Sequence, residues 1–139
     1  MSSRSLHRRE FLQCLGGGAL SAFALSGVAG GLACAPGGDP LLTALAAFFE
    51  DPERARAVGA AYLAQTPAEA VPEVLLAGLC GGRAADWRDL SVADPVALGA
   101  RLRAQHRDDF AAGRVVNVEG WVLSLTEARM CAAVALEDG

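Results

Sequence analysis

Apolar residues recur at helical spacing along most of the chain that follows residue 39. The first apolar face has the spacing i, i+1, i+4, i+7 and i+8 and consists of Leu41, Leu42, Leu45, Phe48 and Phe49. Asp-Pro pairs stand at 39–40, 51–52 and 94–95, and each combines a preferred N-cap residue with proline at the first helical position. The pattern therefore predicts helices that begin at these three points.

Between the second and third Asp-Pro pairs, the sequence predicts one further helix and a loop. Thr66-Pro67-Ala68-Glu69 has the form of a capping box, and the helix that follows is expected to restart at Pro72 and to run towards Leu79. Residues 81–93 begin with Gly-Gly and continue to the charged stretch Asp86-Trp87-Arg88-Asp89-Leu90, which predicts a loop. The helix that begins after Asp94 is expected to extend to about Ala112 and to stop at Gly113.

The stretch from Arg114 to Ser124 differs from the rest because it is rich in β-branched residues around a central Glu-Gly pair. This pattern predicts either a short β-hairpin or an extended arm. Ser124-Leu125-Thr126-Glu127 is a second capping box, so a last helix is expected to begin there. The predicted fold is mainly α, a small bundle of about five helices with a short β-hairpin or extended arm before the last helix.

From Ala128 to Leu136 the last helix carries a single charge, Arg129. A helix that is apolar nearly all round is buried on more than one side, and in so small a domain one side is predicted to contact another chain. The residues considered as partner contacts are Trp87, Trp121, Arg129 and Met130. For Trp87 we favour the alternative that the indole covers the core of its own domain.

The chain begins with the layout of a twin-arginine export signal, which delivers folded proteins to the periplasm. Arg8 and Arg9 precede Phe11 and Leu12, and a weakly apolar, glycine-rich segment follows. We therefore predict that residues 1–33 are the signal peptide, residues 34–39 a flexible spacer, and residues 40–139 a single helical domain.

Gly31-Leu32-Ala33 precedes Cys34, and small residues before a cysteine are typical of lipoprotein processing. Two interpretations remain open. Cys34 carries a lipid that anchors the domain to a membrane, or ordinary cleavage uses Ala33 and Ala35. We favour lipidation slightly, because ordinary cleavage would leave Pro36 as the first residue.

Charge narrows the classes of partner. The 139 residues carry a formal charge of −4, and residues 34–139 retain nine arginines against 15 carboxylates. An acidic surface repels phosphate backbones, which argues against nucleic-acid binding.

Candidate chemistry is sparse. His106 with Asp108 and Asp109 is the one cluster of possible ligands, but neighbouring helical residues face different directions, so no metal site is predicted. Cys80 and Cys131 form either a disulfide or two buried free thiols. Ser124 is better explained as a helix cap than as a nucleophile. We predict no catalytic residue, cofactor or metal in this chain.

Four short motifs carry a resemblance to a known family: Phe48-Phe49, Tyr62-Leu63, Gly120-Trp121-Val122-Leu123-Ser124 and Glu127-Ala128-Arg129-Met130. Together with the leader, they resemble the small subunits of periplasmic flavin-dependent sugar and alcohol dehydrogenases, of the gluconate 2-dehydrogenase subunit 3 and sorbitol dehydrogenase small subunit type. The resemblance implies a non-catalytic subunit that binds a large flavoprotein and brings it through the twin-arginine translocase. It also implies that FAD is held by the partner.

Overall fold

The computed structural model describes residues 38–137. Its helices are α1 (Pro40–Ala46), α2 (Pro52–Gln65), α3 (Pro72–Cys80), α4 (Ala84–Ala93), α5 (Pro95–Ala111) and α6 (Leu125–Glu137). A single 3₁₀ turn lies at Pro67–Glu69, and strands β1 (Val115–Val118) and β2 (Trp121–Ser124) form an antiparallel hairpin before α6. The predicted fold class, mainly α with a hairpin before the last helix, is confirmed.

All three Asp-Pro helix starts are confirmed. In each, the aspartate side chain accepts a hydrogen bond from a backbone N–H of the first helical turn, at 2.9–3.1 Å. The donors belong to Leu41, Arg54 and Ala97. The first helix is shorter than its apolar face suggested, because it ends at Ala46 and leaves Phe49 buried in the turn before Pro52.

Two local predictions are wrong. The loop predicted over residues 81–93 is largely helix α4, which starts without a side-chain cap and buries Trp87 to 1% exposure. Tertiary burial of this large ring outweighs the weak local helix signal. The capping box predicted at Thr66 does not form, because its hydroxyl donates backwards to the Tyr62 carbonyl oxygen at 2.8 Å. Glu69, the other half of that motif, binds residues elsewhere in the fold.

The hairpin follows from its two-residue turn. Glu119 and Gly120 both have positive φ, 52° and 88°, as a two-residue turn that matches strand twist requires. The Asn117 side chain accepts a hydrogen bond from the Gly120 N–H at 2.9 Å and so supports the turn. Val118 and Leu123 face the core, whereas Val122 is 48% exposed.

Helix α6 is the centre of the domain. It packs against α1, α2, α3, α5 and both strands. From Thr126 to Val134, every residue except Arg129 is buried to 3% exposure or less. The helices and strands of its own chain therefore explain why α6 is apolar nearly all round. Between Thr126 and Val134 no apolar side of α6 is left exposed for the predicted contact with another chain.

A glycine allows a close contact between two helices. Gly59 of α2 lies against the α6 backbone so tightly that a Cβ atom would be 2.1 Å from the Cys131 carbonyl oxygen. No side chain other than hydrogen fits at this position. None of the helices in residues 38–137 has the length and apolarity that a bilayer-spanning helix needs.

Candidate functional site

An open cleft of about 530 Å³ lies where α3, α4, α5 and the start of α6 meet. Its lining combines apolar and backbone surface with charged side chains from several elements. Those charged side chains are Arg83, Arg101, Asp108, Asp109, Arg114 and Arg129. The chemistry of this cleft depends on which of these charges are already paired.

Arg129 is held in a network that joins α6 to the 3₁₀ turn and to α3. Its guanidinium donates to both carboxylate oxygens of Glu69, at 2.7 and 3.1 Å, and to the Gly78 carbonyl oxygen at 3.0 Å. The Tyr62 hydroxyl donates to the same carboxylate at 2.7 Å. The hydrogen bonds from Arg129 lower the pKa of Glu69 below its usual range, although burial opposes them. Burial and the neighbouring Glu69 raise the pKa of Tyr62.

Asp109 binds the first turn of α6 from the side. It is 4% exposed, and one carboxylate oxygen accepts from both the Thr126 N–H, at 2.8 Å, and the Thr126 hydroxyl, at 2.6 Å. Arg114 donates to the other oxygen at 2.8 Å. Burial alone would raise the pKa of Asp109, but the hydrogen bonds from Thr126 and Arg114 outweigh it and lower that pKa.

The predicted capping box at Ser124 is confirmed in both directions. The Ser124 hydroxyl accepts from the Glu127 N–H at 3.0 Å, and the Glu127 carboxylate accepts from the Ser124 N–H at 2.8 Å. His106 joins this pair, with its Nδ1 atom 3.0 Å from the Ser124 hydroxyl oxygen and 3.4 Å from the Glu127 carboxylate. Sequence reasoning missed this contact, because His106 lies 18 positions before Ser124 and 21 positions before Glu127 in the chain.

The arrangement of serine, histidine and glutamate does not have the geometry of a catalytic relay. A relay uses both ring nitrogens of histidine, one towards the nucleophile and one towards the carboxylate. Here a single nitrogen approaches both groups, and Ser124 has no exposed surface. These three side chains hold the hairpin and α5 to the start of α6.

The cluster of His106, Asp108 and Asp109 does not converge on a point. Asp109 turns to Thr126 and Arg114, whereas His106 turns to Ser124 and stacks edge-on with Phe110 at 5.1 Å. Within residues 38–137, no group of three or more histidine, cysteine or acidic side chains is placed to hold a metal ion.

The two candidate disulfide residues are buried free thiols in the structure. Burial raises the pKa of each thiol to about 12. Their charged surroundings differ. The pKa of the Cys80 thiol is also influenced by the charges of Arg88, Asp39 and Arg101, whereas that of Cys131 is influenced by the charge of Glu127. Thiols with so high a pKa are poor nucleophiles at neutral pH, so both are expected to behave as core residues.

The partner-contact candidates have different positions. Trp87 and Met130 are 1% and 3% exposed, so both belong to the core, which for Trp87 is the favoured alternative. Arg129 is committed to Glu69 inside the domain. Trp121 is half-buried on the hairpin. The predicted export-signal residues Arg8, Arg9, Phe11 and Leu12, and the lipidation candidate Cys34, lie outside the described residues.

Comparison with protein-family models, with curated proteins and with solved structures finds no match to this chain. Its functional assignment therefore depends on its own residues.

Proposed function

We propose that this protein is a non-catalytic accessory subunit that binds a flavin-dependent sugar or alcohol dehydrogenase and escorts it through twin-arginine export to the periplasm. The observation that carries the proposal is the Arg8-Arg9-Glu10-Phe11-Leu12 leader in front of a small domain. A twin-arginine signal serves cargo that must fold before export, and a large flavoprotein that binds FAD in the cytoplasm is such cargo.

The domain has the closed core and paired buried charges expected of a protein that is exported in the folded state. Its core is closed around α6, and its buried carboxylates Asp109 and Glu127 are hydrogen-bonded within the chain. Buried charges with partners of this kind require the native arrangement, because an unpaired buried carboxylate is strongly unfavourable. A folded domain of this kind offers a partner a fixed surface.

Because α6 is covered by its own chain, the partner surface in this proposal lies elsewhere. The hairpin is the stronger choice, since Trp121 is half-buried there and the adjacent Val122 is 48% exposed. Aromatic residues with apolar neighbours are enriched at protein interfaces. Val92 on α4 is 76% exposed and provides a matched apolar position on another element.

Co-purification tests the binding. A tagged copy recovered from the periplasm of its host is expected to bring with it a flavoprotein that has no signal of its own. Val122→Asp is expected to lower the recovery, and Val92→Asp to leave it unchanged. A monodisperse monomer without a flavoprotein, obtained under native expression, would contradict the proposal.

Export tests the escort. Replacing Arg8 and Arg9 together by lysine is expected to keep both this protein and the flavoprotein in the cytoplasm. Arg4→Lys, a charge-conserving change at a nearby arginine outside the pair, is the control and is expected to leave export intact. A flavoprotein that still reaches the periplasm in the double variant would show that it does not depend on this leader.

A second function is favoured by Cys34 and the small residues before it. In this alternative the protein is a stand-alone lipoprotein with a binding or structural role, held at a membrane by one lipid-bearing N-terminus. Labelling with a radioactive fatty acid, with Cys34→Ala as control, tests the anchor. A lipid label with no associated flavoprotein would favour this function over the first.

A further inference from the structure

The charges that line the cleft are not balanced. Residues 38–137 carry nine arginines and 14 carboxylates, yet the cleft collects four arginines against two aspartates. Arg114 is paired with Asp109, and Arg129 with Glu69. The remaining charges in the cleft are two cations, Arg83 and Arg101, and one anion, Asp108.

Arg83 and Arg101 are both exposed, and neither forms an ion pair within the part of the chain that the structure describes. Their side chains come from different elements, Arg83 from the residue before α4 and Arg101 from the middle of α5. Two unpaired guanidinium groups on one concave surface favour an oxyanion, because a guanidinium can donate two parallel hydrogen bonds to a carboxylate or phosphate.

Trp87 gives the cleft a rigid wall and holds one of these cations. The guanidinium carbon of Arg101 lies 5.7 Å from the centre of the Trp87 ring, which is cation–π distance. The ring itself is 1% exposed and fixed in the core. A guanidinium that rests on a fixed ring loses less conformational entropy when it binds an anion.

The indole N–H of Trp87 has no hydrogen-bond acceptor within the described residues, and its nitrogen is buried. Buried indole N–H groups usually have an acceptor, and an unsatisfied one is destabilising. This donor belongs to a residue that lines the same cleft, but the nitrogen itself is buried, so the case for a bound anion rests on Arg83 and Arg101.

We propose that the cleft between α3, α4 and α5 binds a small organic anion, a carboxylate or phosphate compound, through Arg83 and Arg101. The volume of about 530 Å³ lies within the range of ligand pockets. Asp108 borders the same space and opposes an anion, so it limits the affinity. The site is independent of the escort function, because it uses neither the leader nor the hairpin.

Titration of the purified full chain with citrate and with inorganic phosphate, at constant ionic strength, tests the site by calorimetry and by tryptophan fluorescence. Saturable binding of either anion is expected, with a change in tryptophan emission. Whether citrate or phosphate binds more tightly distinguishes a carboxylate site from a phosphate site. If neither anion gives saturable binding, the proposal is overturned.

Four exposed positions give matched variants with expected effects in both directions. Arg101→Gln and Arg83→Gln should each weaken binding about ten-fold, because each removes a charge-assisted hydrogen bond. Asp108→Asn should tighten it about two- to five-fold. Arg107→Gln removes the same charge from α5 outside the cleft lining and should change affinity less than about two-fold.

Thermal unfolding of each variant checks that the fold is retained, since exposed substitutions of this kind usually change stability little. Equal weakening by Arg107→Gln and Arg101→Gln would indicate diffuse attraction and overturn the site. An anion affinity that is unchanged or lower in the Asp108→Asn variant would likewise show that the anion binds elsewhere.

Discussion

Replacing Gly59 by alanine tests the helix contact on which the core depends. The added Cβ would lie 2.1 Å from the Cys131 carbonyl oxygen, 2.4 Å from its carbonyl carbon and 2.7 Å from the Ala132 nitrogen. A Cβ atom essentially never lies within 3.0 Å of such atoms, and these neighbours are backbone atoms that cannot rotate away. Helices α2 and α6 would therefore have to separate by about 1 Å.

That displacement sets the size of the effect. A gap of about 0.5–1 Å forfeits a quarter to a half of the dispersion energy of the facing atoms, and overpacking a core costs about 1–3 kcal/mol or more. Alanine returns about 1 kcal/mol because it favours helix more than glycine does. Because the clash is with backbone atoms, the overpacking cost is taken at the upper end, about 3 kcal/mol, so the free energy of unfolding is expected to fall by about 2 kcal/mol, a large share of the roughly 5–15 kcal/mol typical of a domain.

Urea unfolding followed by far-ultraviolet circular dichroism measures this change. Ala60→Gly is the matched control at the next, exposed position of α2, and it should cost about 1 kcal/mol from helix propensity alone. A Gly59→Ala variant as stable as the parent protein, or more stable, would refute the close approach of the two helices.

Three further predictions concern the side chains around α6. The fold lowers the pKa of Asp109, so the ionised carboxylate stabilises the protein at pH values above its unfolded pKa of 3.8, and this stabilisation is lost as the pH falls through the folded pKa. In urea titrations between about pH 5 and pH 2, the free energy of unfolding of the Asp109→Asn variant should therefore fall less steeply than that of the parent protein. Ser124→Ala removes the cap acceptor and leaves His106 without this contact, and it should lower the free energy of unfolding by about 1–2 kcal/mol in the same assay. Cys131 should resist alkylation at pH 8 in the native protein and react after unfolding, as mass spectrometry of the peptide that contains it would show; rapid native reaction would contradict its burial.

Local signals account for what was predictable in the fold. The three Asp-Pro starts, the capping box at Ser124 and the turn at Glu119-Gly120 each depend on residues within four positions of one another, so the sequence pattern contains them. Helix α4 was not predictable in this way, because it follows two glycines, lacks a side-chain cap and depends on the burial of Trp87.

The cleft was not predictable for a related reason. Glu69 and Arg129 are 60 positions apart, and the pattern alone suggested a local cap for the first and a partner contact for the second. Arg83 and Arg101 come together through the packing of α3, α4 and α5. Only the assembled fold shows which arginines have a carboxylate partner and which do not.

The central position of α6 has a consequence for timing during synthesis. Residues 40–124 emerge from the ribosome before the helix against which α1, α2 and α3 pack. At about 5–20 residues per second, the interval between Pro40 and Leu125 is about 4–17 s. During this interval the proposed leader, residues 1–33, has already left the ribosome, while the apolar faces of the first helices have no α6 to pack against. In the proposed export function, recognition of Arg8-Arg9 and closure of the domain are therefore separate events, and the proposed leader would be available to cytoplasmic binding proteins several seconds before the core can form.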